Sequence, residues 1–281
     1  MFGRARIEYK TPDQVRTMRR AGLVVADIHA ALREAAAPGR TTAELDAVAA
    51  EVLQRAGARS NFLGYHGFPA NVCISVNEEI VHGIPGERVL ATGDLVSFDC
   101  GAVVDGWHSD AAFSTVVGEG GGGDAAASEA LSTVTEEAMW AAIAALTTGD
   151  RLNVVGDAVE TVVEAAAREG RGEFAVVTEY VGHGIGSAMH QPPDVLNFRT
   201  REKGPKLRPG MCLAVEPMLT AGSPENTVLE DDWTVVTTDG SRAAHWEHSV
   251  ALVDGGVWVL SSPDGGAAKL AEHGVTVAPL D

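Results

Sequence analysis

The chain has 281 residues, 45% of them hydrophobic, with 39 acidic against 21 basic side chains and a net charge of −18. That length supports a substantial apolar core in one large domain or two small ones. The acidic balance is spread along the chain and argues against binding to a phosphate backbone, so no direct nucleic-acid site is expected. No apolar run reaches the ~18 residues of a membrane span, and the positive charges of Met1–Arg6 precede no apolar stretch, so neither a span nor a secretory signal is expected. Cys73, Cys100 and Cys212 are odd in number and far apart in apolar strand-like runs. Buried thiols in a reducing, cytoplasmic setting fit this better than disulfides.

Thr11-Pro12-Asp13-Gln14 reads as a helix start, with threonine at the N-cap, proline at the first helical position and glutamine at the third. The helix is expected to run to about Ala37 and stop at Pro38-Gly39. Thr41 with Glu44 repeats the capping box, and Gly57 closes a second helix. Strand-like runs follow at Asn71–Val76 and Leu95–Asp99, and Asp105-Gly106 marks a two-residue hairpin turn. A glycine run from Gly118 to Gly123 reads as a connector. Two further helices are expected at about Ala125–Leu146 and Leu152–Glu169, the second ended by Gly170. Strand-like runs at Phe174–Val181, Met211–Glu216, Thr234–Thr237, Ala244–Leu252 and Val257–Leu260 complete the chain. The same interval separates Pro12 from Ala125 and Gly57 from Gly170, which suggests two similar halves, about 11–117 and 124–260. They would form a single domain over 11–281 behind a short extension, 1–10.

Five side chains with metal-binding chemistry recur in this frame: Asp99, Asp110, His183, Glu216 and Glu247. Around the Asp105-Gly106 turn, Val104 faces Trp107 and Gly101 faces Asp110. Asp99 and Asp110 then project to one side as diagonal neighbours, about 7 Å apart or less at Cβ. His183 lies in Gly182-His183-Gly184-Ile185-Gly186, directly after a strand-like run, with glycines that allow close backbone approach. His190 follows and introduces Gln191-Pro192-Pro193, read as a rigid turn that would hold a second imidazole over the same site. Glu216 interrupts an apolar strand, and Glu247 lies between His245-Trp246 and His248, just ahead of Ser249–Leu252. Four carboxylates and an imidazole buried together call for cations, and two divalent ions would balance the four negative charges. No zinc-protease helix, nucleophile elbow or phosphate loop is present.

The chain resembles the type I methionine aminopeptidases from Thr11 to Ser249. The resemblance is carried by Asn71–Ser75 with His82-Gly83-Ile84-Pro85, Phe98-Asp99 with Trp107–Asp110, Gly182–Gly186 with His190, Val215–Met218, and Trp246-Glu247-His248. It implies an α+β pita-bread fold, a curved antiparallel sheet flanked by two pseudo-symmetric helix pairs with a dinuclear site in its cleft. It also implies that Asp99 chelates one metal, that Asp110 and Glu247 bridge two, and that His183 and Glu216 complete the other. Co, Mn, Fe or Zn would suit these ligands. Glu216 would also shuttle a proton, and His82 and His190 would contact substrate. Phe62, Tyr65, Phe68, Cys73, Met189 and Trp233 are expected to line a methionine pocket. The implied enzyme is a monomer that removes methionine from nascent polypeptides with a small second residue, a role compatible with transient contact with the ribosome. The alternatives are an Xaa-Pro aminopeptidase or prolidase-like enzyme, which shares the ligand order, and a pita-bread binding protein without catalysis. The short interval from His183 to Glu216 disfavours the type II enzymes, which carry a long insertion there.

Overall fold

The computed structural model describes residues 6–119 and 122–280. The first five residues of the N-terminal extension, Gly120 and Gly121 of the glycine connector, and Asp281 lie outside the described residues.

Capping chemistry sets the first helix pair. Helix α1 spans Pro12–Ala35 and α2 Thr42–Ala56, and both begin with a complete capping box, Thr11 with Gln14 and Thr41 with Glu44. Gly57 ends α2 at φ 63, a left-handed position that glycine occupies without steric cost. The strands of the first half are β1 (Arg59–Ser60), β2 (Val72–Val76), β3 (Glu79–Val81), β4 (Leu95–Val104) and β5 (Trp107–Val116). Helices α3 (Gly122–Ala145) and α4 (Val154–Arg168) repeat the lengths of the first pair, 24 and 15 residues in each. Then come β6 (Ala175–Val176), β7 (Gly182–Gly184), β8 (Gln191–Val195), β9 (Cys212–Val215) and β10 (Met218–Thr220). The chain ends with β11 (Asn226–Val228), β12 (Val235–Thr237), β13 (Ala243–His245), β14 (Glu247–Val253), β15 (Gly256–Val259) and α5 (Ala267–Glu272).

The main sheet has the order β1-β4-β5-β14-β9-β7-β8, with β2 beside β4 and β15 beside β14. All its pairings are antiparallel. Two cores cover one of its faces. Val25, Ile28 and Leu32 of α1 pack with Leu45 of α2 on Ile74, Phe98 and Phe113. Met139 and Ile143 of α3 pack with Val155 and Val159 of α4 on Leu213, Val215 and Val250. Each helix pair also makes one backbone approach that admits no side chain. A Cβ at Gly22 would lie 2.1 Å from the Leu260 carbonyl oxygen, and one at Gly156 would lie 2.1 Å from that of Phe198. Gly22→Ala should therefore cost about 1–3 kcal/mol or more as α1 is pushed off the sheet. Denaturant unfolding checks this, and an unchanged midpoint would contradict the contact.

Several sequence expectations need correction. Gln191-Pro192-Pro193 is not a turn but the start of β8, which tolerates proline because it is the sheet's edge strand. Of Phe174–Val181, only Ala175–Val176 is strand, so His183 lies inside β7 rather than following a strand. The run Ala244–Leu252 is split at Trp246, whose N–H bonds the Pro217 carbonyl, so β13 joins β10 while β14 joins the main sheet. The short strands β3, β10 and β11 were not foreseen.

Candidate metal centre

The helices cover one face of the sheet, and the five expected ligands share the other. The β4–β5 hairpin has the expected register, with Val104 opposite Trp107 and Gly101 opposite Asp110. Asp105 and Gly106 form its turn at φ 49 and 80. Asp99 and Glu247 both pair with Ala112, from β4 and β14 respectively, so Asp99, Asp110 and Glu247 share a face. Glu216 lies one step beyond the His248–Val215 pair, beside Glu247, and His183 pairs with Ala214, two residues before Glu216. The sheet thus brings all five together from β4, β5, β14, β7 and the end of β9. Donor atoms of Asp110, His183 and Glu247 lie within 4.8 Å of one another.

Local contacts aim these groups. The glycines beside His183 are required: a Cβ at Gly182 would lie 2.4 Å from the Ala214 carbonyl oxygen, and one at Gly184 2.3 Å from that of Pro192. His183 Nδ1 donates to the Gly184 carbonyl at 3.0 Å, which leaves the Nε2 lone pair facing Glu216 Oε1 at 3.2 Å. The Asp110 backbone is clamped by the Ser249 hydroxyl, which accepts from its N–H and donates to its carbonyl, both at 2.8 Å. Asn61, fixed by its bond to the Ser109 carbonyl, occupies the space that a side chain at Gly101 would need.

The electrostatics test the fit of a cation. Asp99 Oδ1, Asp110 Oδ1 and Glu247 Oε1 are buried without a hydrogen-bond partner among the described residues. Burial, with neighbouring carboxylates adding to it, drives the acids of Asp99, Glu216 and Glu247 well above the ordinary carboxylate range. Burial also pushes Asp110 up to about 7 against the hydrogen bonds it accepts. Among the described residues, no Lys or Arg forms an ion pair with any of the four. Buried acids without Lys or Arg partners among the described residues, with oxygens free to coordinate, fit divalent metal ions.

A cavity of about 310 Å³ opens over this face. The six expected pocket residues, Phe62, Tyr65, Phe68, Cys73, Met189 and Trp233, all line it. Cys73 reaches it because β2 pairs it with Asp99. His82 and His190 line it as well. His82 sits at φ 60, an unusual conformation for a non-glycine residue, and the next residue, Gly83, abuts the Ile74 carbonyl. Burial, aided by His190, lowers His82 to about 4, so its imidazole is neutral near pH 7. The His190 ring lies 4.3 Å from that of His183, and its Nδ1 is 2.7 Å from the Tyr65 hydroxyl. Sequence reasoning missed His66, Tyr180 and His245 on the cavity wall. His245 could have been found: it stands two residues before Glu247 in an apolar strand.

A deep apolar pocket over clustered carboxylates and imidazoles on a helix-backed antiparallel sheet defines a metal-dependent hydrolase. The profile of metallopeptidase family M24 matches residues 16–254, and the chain belongs to that family, among its methionine aminopeptidases. Methionine aminopeptidase 1 of Mycobacterium tuberculosis is 49% identical over 261 residues, covering 92% of this chain and 96% of the relative. The Bacillus subtilis methionine aminopeptidase 1 is 43% identical, covering 90% and 98%. The crystal structure of the Thermotoga maritima methionine aminopeptidase superposes with a TM-score of 0.85 at 37% identity, over 92% of this chain and 100% of that one. The fold is accordingly the pita-bread fold. The prolidase of Pyrococcus furiosus, with a TM-score of 0.68 at 17% identity, shares the fold alone.

Proposed function

We propose that the protein removes the N-terminal methionine from nascent polypeptides whose second residue is small. The observation that carries this is the placing of five metal-binding side chains on one sheet face beneath a cavity walled by Phe68, Cys73, Met189 and Trp233. Asp99, Asp110 and Glu247 would hold one divalent ion, and His183, Glu216, Asp110 and Glu247 a second. Mn, Fe, Co or Zn each suits such oxygen and nitrogen donors. When bound, the pair supplies an acidified water and a polarised peptide carbonyl. The remaining steps belong to the chain. Glu216 takes up and passes on the proton of the attacking water. A Tyr65 hydroxyl donating to His190 Nδ1 leaves the imidazole proton on Nε2, where it can donate to the tetrahedral oxygen. His82 contacts the peptide nitrogen on the leaving side. The aromatic and sulfur-lined walls receive the unbranched thioether and exclude water. Residues 11–281 form one domain built from two halves, about 11–117 and 124–260, a division supported by the matched lengths of the helix pairs.

Metal-titrated cleavage of Met-Ala-Ser in competition with Ala-Pro-Ala, products identified by mass, tests the function. Free methionine should appear first, and Met-Leu or Met-Lys peptides should lag far behind Met-Ala, Met-Gly and Met-Ser. Norleucine in the first position should still be cut, because small changes in a hydrophobic pocket cost only about 1–3 kcal/mol. Acetylating the α-amine should nearly abolish cleavage by removing the nitrogen lone pair. Preferred removal of any residue preceding proline would overturn the reading.

A further inference from the structure

His245 is 2% exposed, lies on the cavity wall, and its Nε2 has no hydrogen-bond partner among the described residues. Its acidic neighbour is Glu216: Nε2 stands 3.7 Å from Oε2, while Oε1 of the same carboxylate stands 3.2 Å from His183 Nε2. The carboxylate therefore lies between two imidazoles. These two rings have opposite parts to play. His183 has committed Nδ1–H to the Gly184 carbonyl and can offer Glu216 no proton from Nε2 in that tautomer. His245 carries no such commitment, and a proton on its Nε2 would satisfy both the orphaned nitrogen and the second carboxylate oxygen.

The backbone of His245 is placed for this task. Its N–H donates to the Ser114 hydroxyl and its carbonyl accepts from that hydroxyl, both at 2.9 Å, and the Ser97 hydroxyl lies 2.8 Å from the same oxygen. On the other side, β13 pairs His245 with Met218, two residues after Glu216. A kink at Trp246 then sends the chain into β14 and Glu247. The backbone is thus anchored to β5 and β10, with the ring placed beside the Glu216 carboxylate.

We propose that His245 is a positioning residue of the metal centre, donating from Nε2 to Glu216 Oε2 and so keeping Oε1 turned toward His183. A carboxylate restrained at one oxygen loses less freedom when the other oxygen coordinates. The inference rests on Glu216 being a metal ligand.

The test is Co(II) binding to the metal-free protein, read by calorimetry and by the visible ligand-field spectrum, with no peptide present. His245→Ala should weaken binding about 10–100-fold. His245→Gln, whose amide N–H can donate in the same direction, should restore most of that loss with a wild-type cobalt spectrum, because the ligands themselves are unchanged. Circular dichroism of each metal-free variant checks folding, and His245→Leu, which keeps more of the volume, replaces the alanine variant if that one fails to fold. Undiminished affinity in His245→Ala or His245→Leu would overturn the proposal. So would a Gln variant as weak as Ala with a shifted spectrum, since that would make His245 a ligand. Glu216→Ala separates the two layers of argument. If it binds Co(II) normally, the ligand assignment falls and this inference with it. If it binds poorly while His245→Ala binds normally, only the role of His245 falls.

Discussion

Glu247→Ala and Asp110→Asn should each lose bound metal and nearly all turnover, beyond the ~100-fold upper figure for losing a group that merely supports a ligand. Each residue is read as shared by both ions, so one substitution disturbs the whole centre. Elemental analysis alongside peptide hydrolysis checks this, and full metal content with full activity in either variant would defeat the bridging assignment. Asp110→Asn carries a second, opposite expectation for the metal-free protein. Burial raises the Asp110 acid from 3.8 to about 7, so its ionisation opposes folding. The penalty is absent below pH 3.8, grows as pH rises through the window from 3.8 to about 7, and is complete above it. At roughly 1.4 kcal/mol per pH unit, the metal-free asparagine variant should be more stable than the metal-free wild type by a few kcal/mol at pH 8. The two should converge near pH 4. Metal added at pH 8 should raise the melting temperature of the wild type and not of the variant. A metal-free Asp110→Asn protein that melts below the wild type at pH 8 would show that the buried charge is compensated by something other than a cation.

How far the sequence discloses this centre differs from ligand to ligand. Asp99 and Asp110 were readable as a pair because an Asp-Gly turn fixes the register of the hairpin, and alternation along the strands then assigns the face. The first helix pair was readable because its caps are local chemistry. Glu216 and Glu247 were readable as charges inside apolar runs, yet nothing local said that they would stand side by side. That depends on β14 pairing with both β5 and β9, a long-range choice with no turn to fix it. Proline misled at Pro192-Pro193, since its exclusion from strands applies to interior ladders and β8 has a free edge. Short strands such as β3 and β10 leave too few residues for a period to register. His245 escaped for a different reason. Its strand leaves the main sheet at Trp246, and only the pairing with Met218 brings its ring to Glu216.

His190→Ala and His82→Asn should keep their metal and still lose about two to four decades in kcat/KM, the range for groups that donate to a transition state or handle its proton. Both rings line the cavity and neither is needed to balance the four acids, so metal content should be untouched. Asparagine is the better probe at position 82 because the backbone there is left-handed, at φ 60. Alanine would add conformational strain to the loss of the imidazole, whereas asparagine tolerates that region. At position 190, Tyr65→Phe provides the companion measurement. It removes the hydroxyl that lies 2.7 Å from Nδ1 while keeping the aromatic wall of the pocket. If Tyr65 holds His190 in its donating tautomer, the phenylalanine variant should lower kcat more than it raises KM, and combined with His190→Ala it should add little further loss. Losses that simply multiply in the double variant would mean the two residues act independently, and Tyr65 would then be a pocket wall only. A His190→Ala enzyme that lost metal in parallel with activity would place that imidazole among the ligands, and normal turnover would leave it no part in the chemistry.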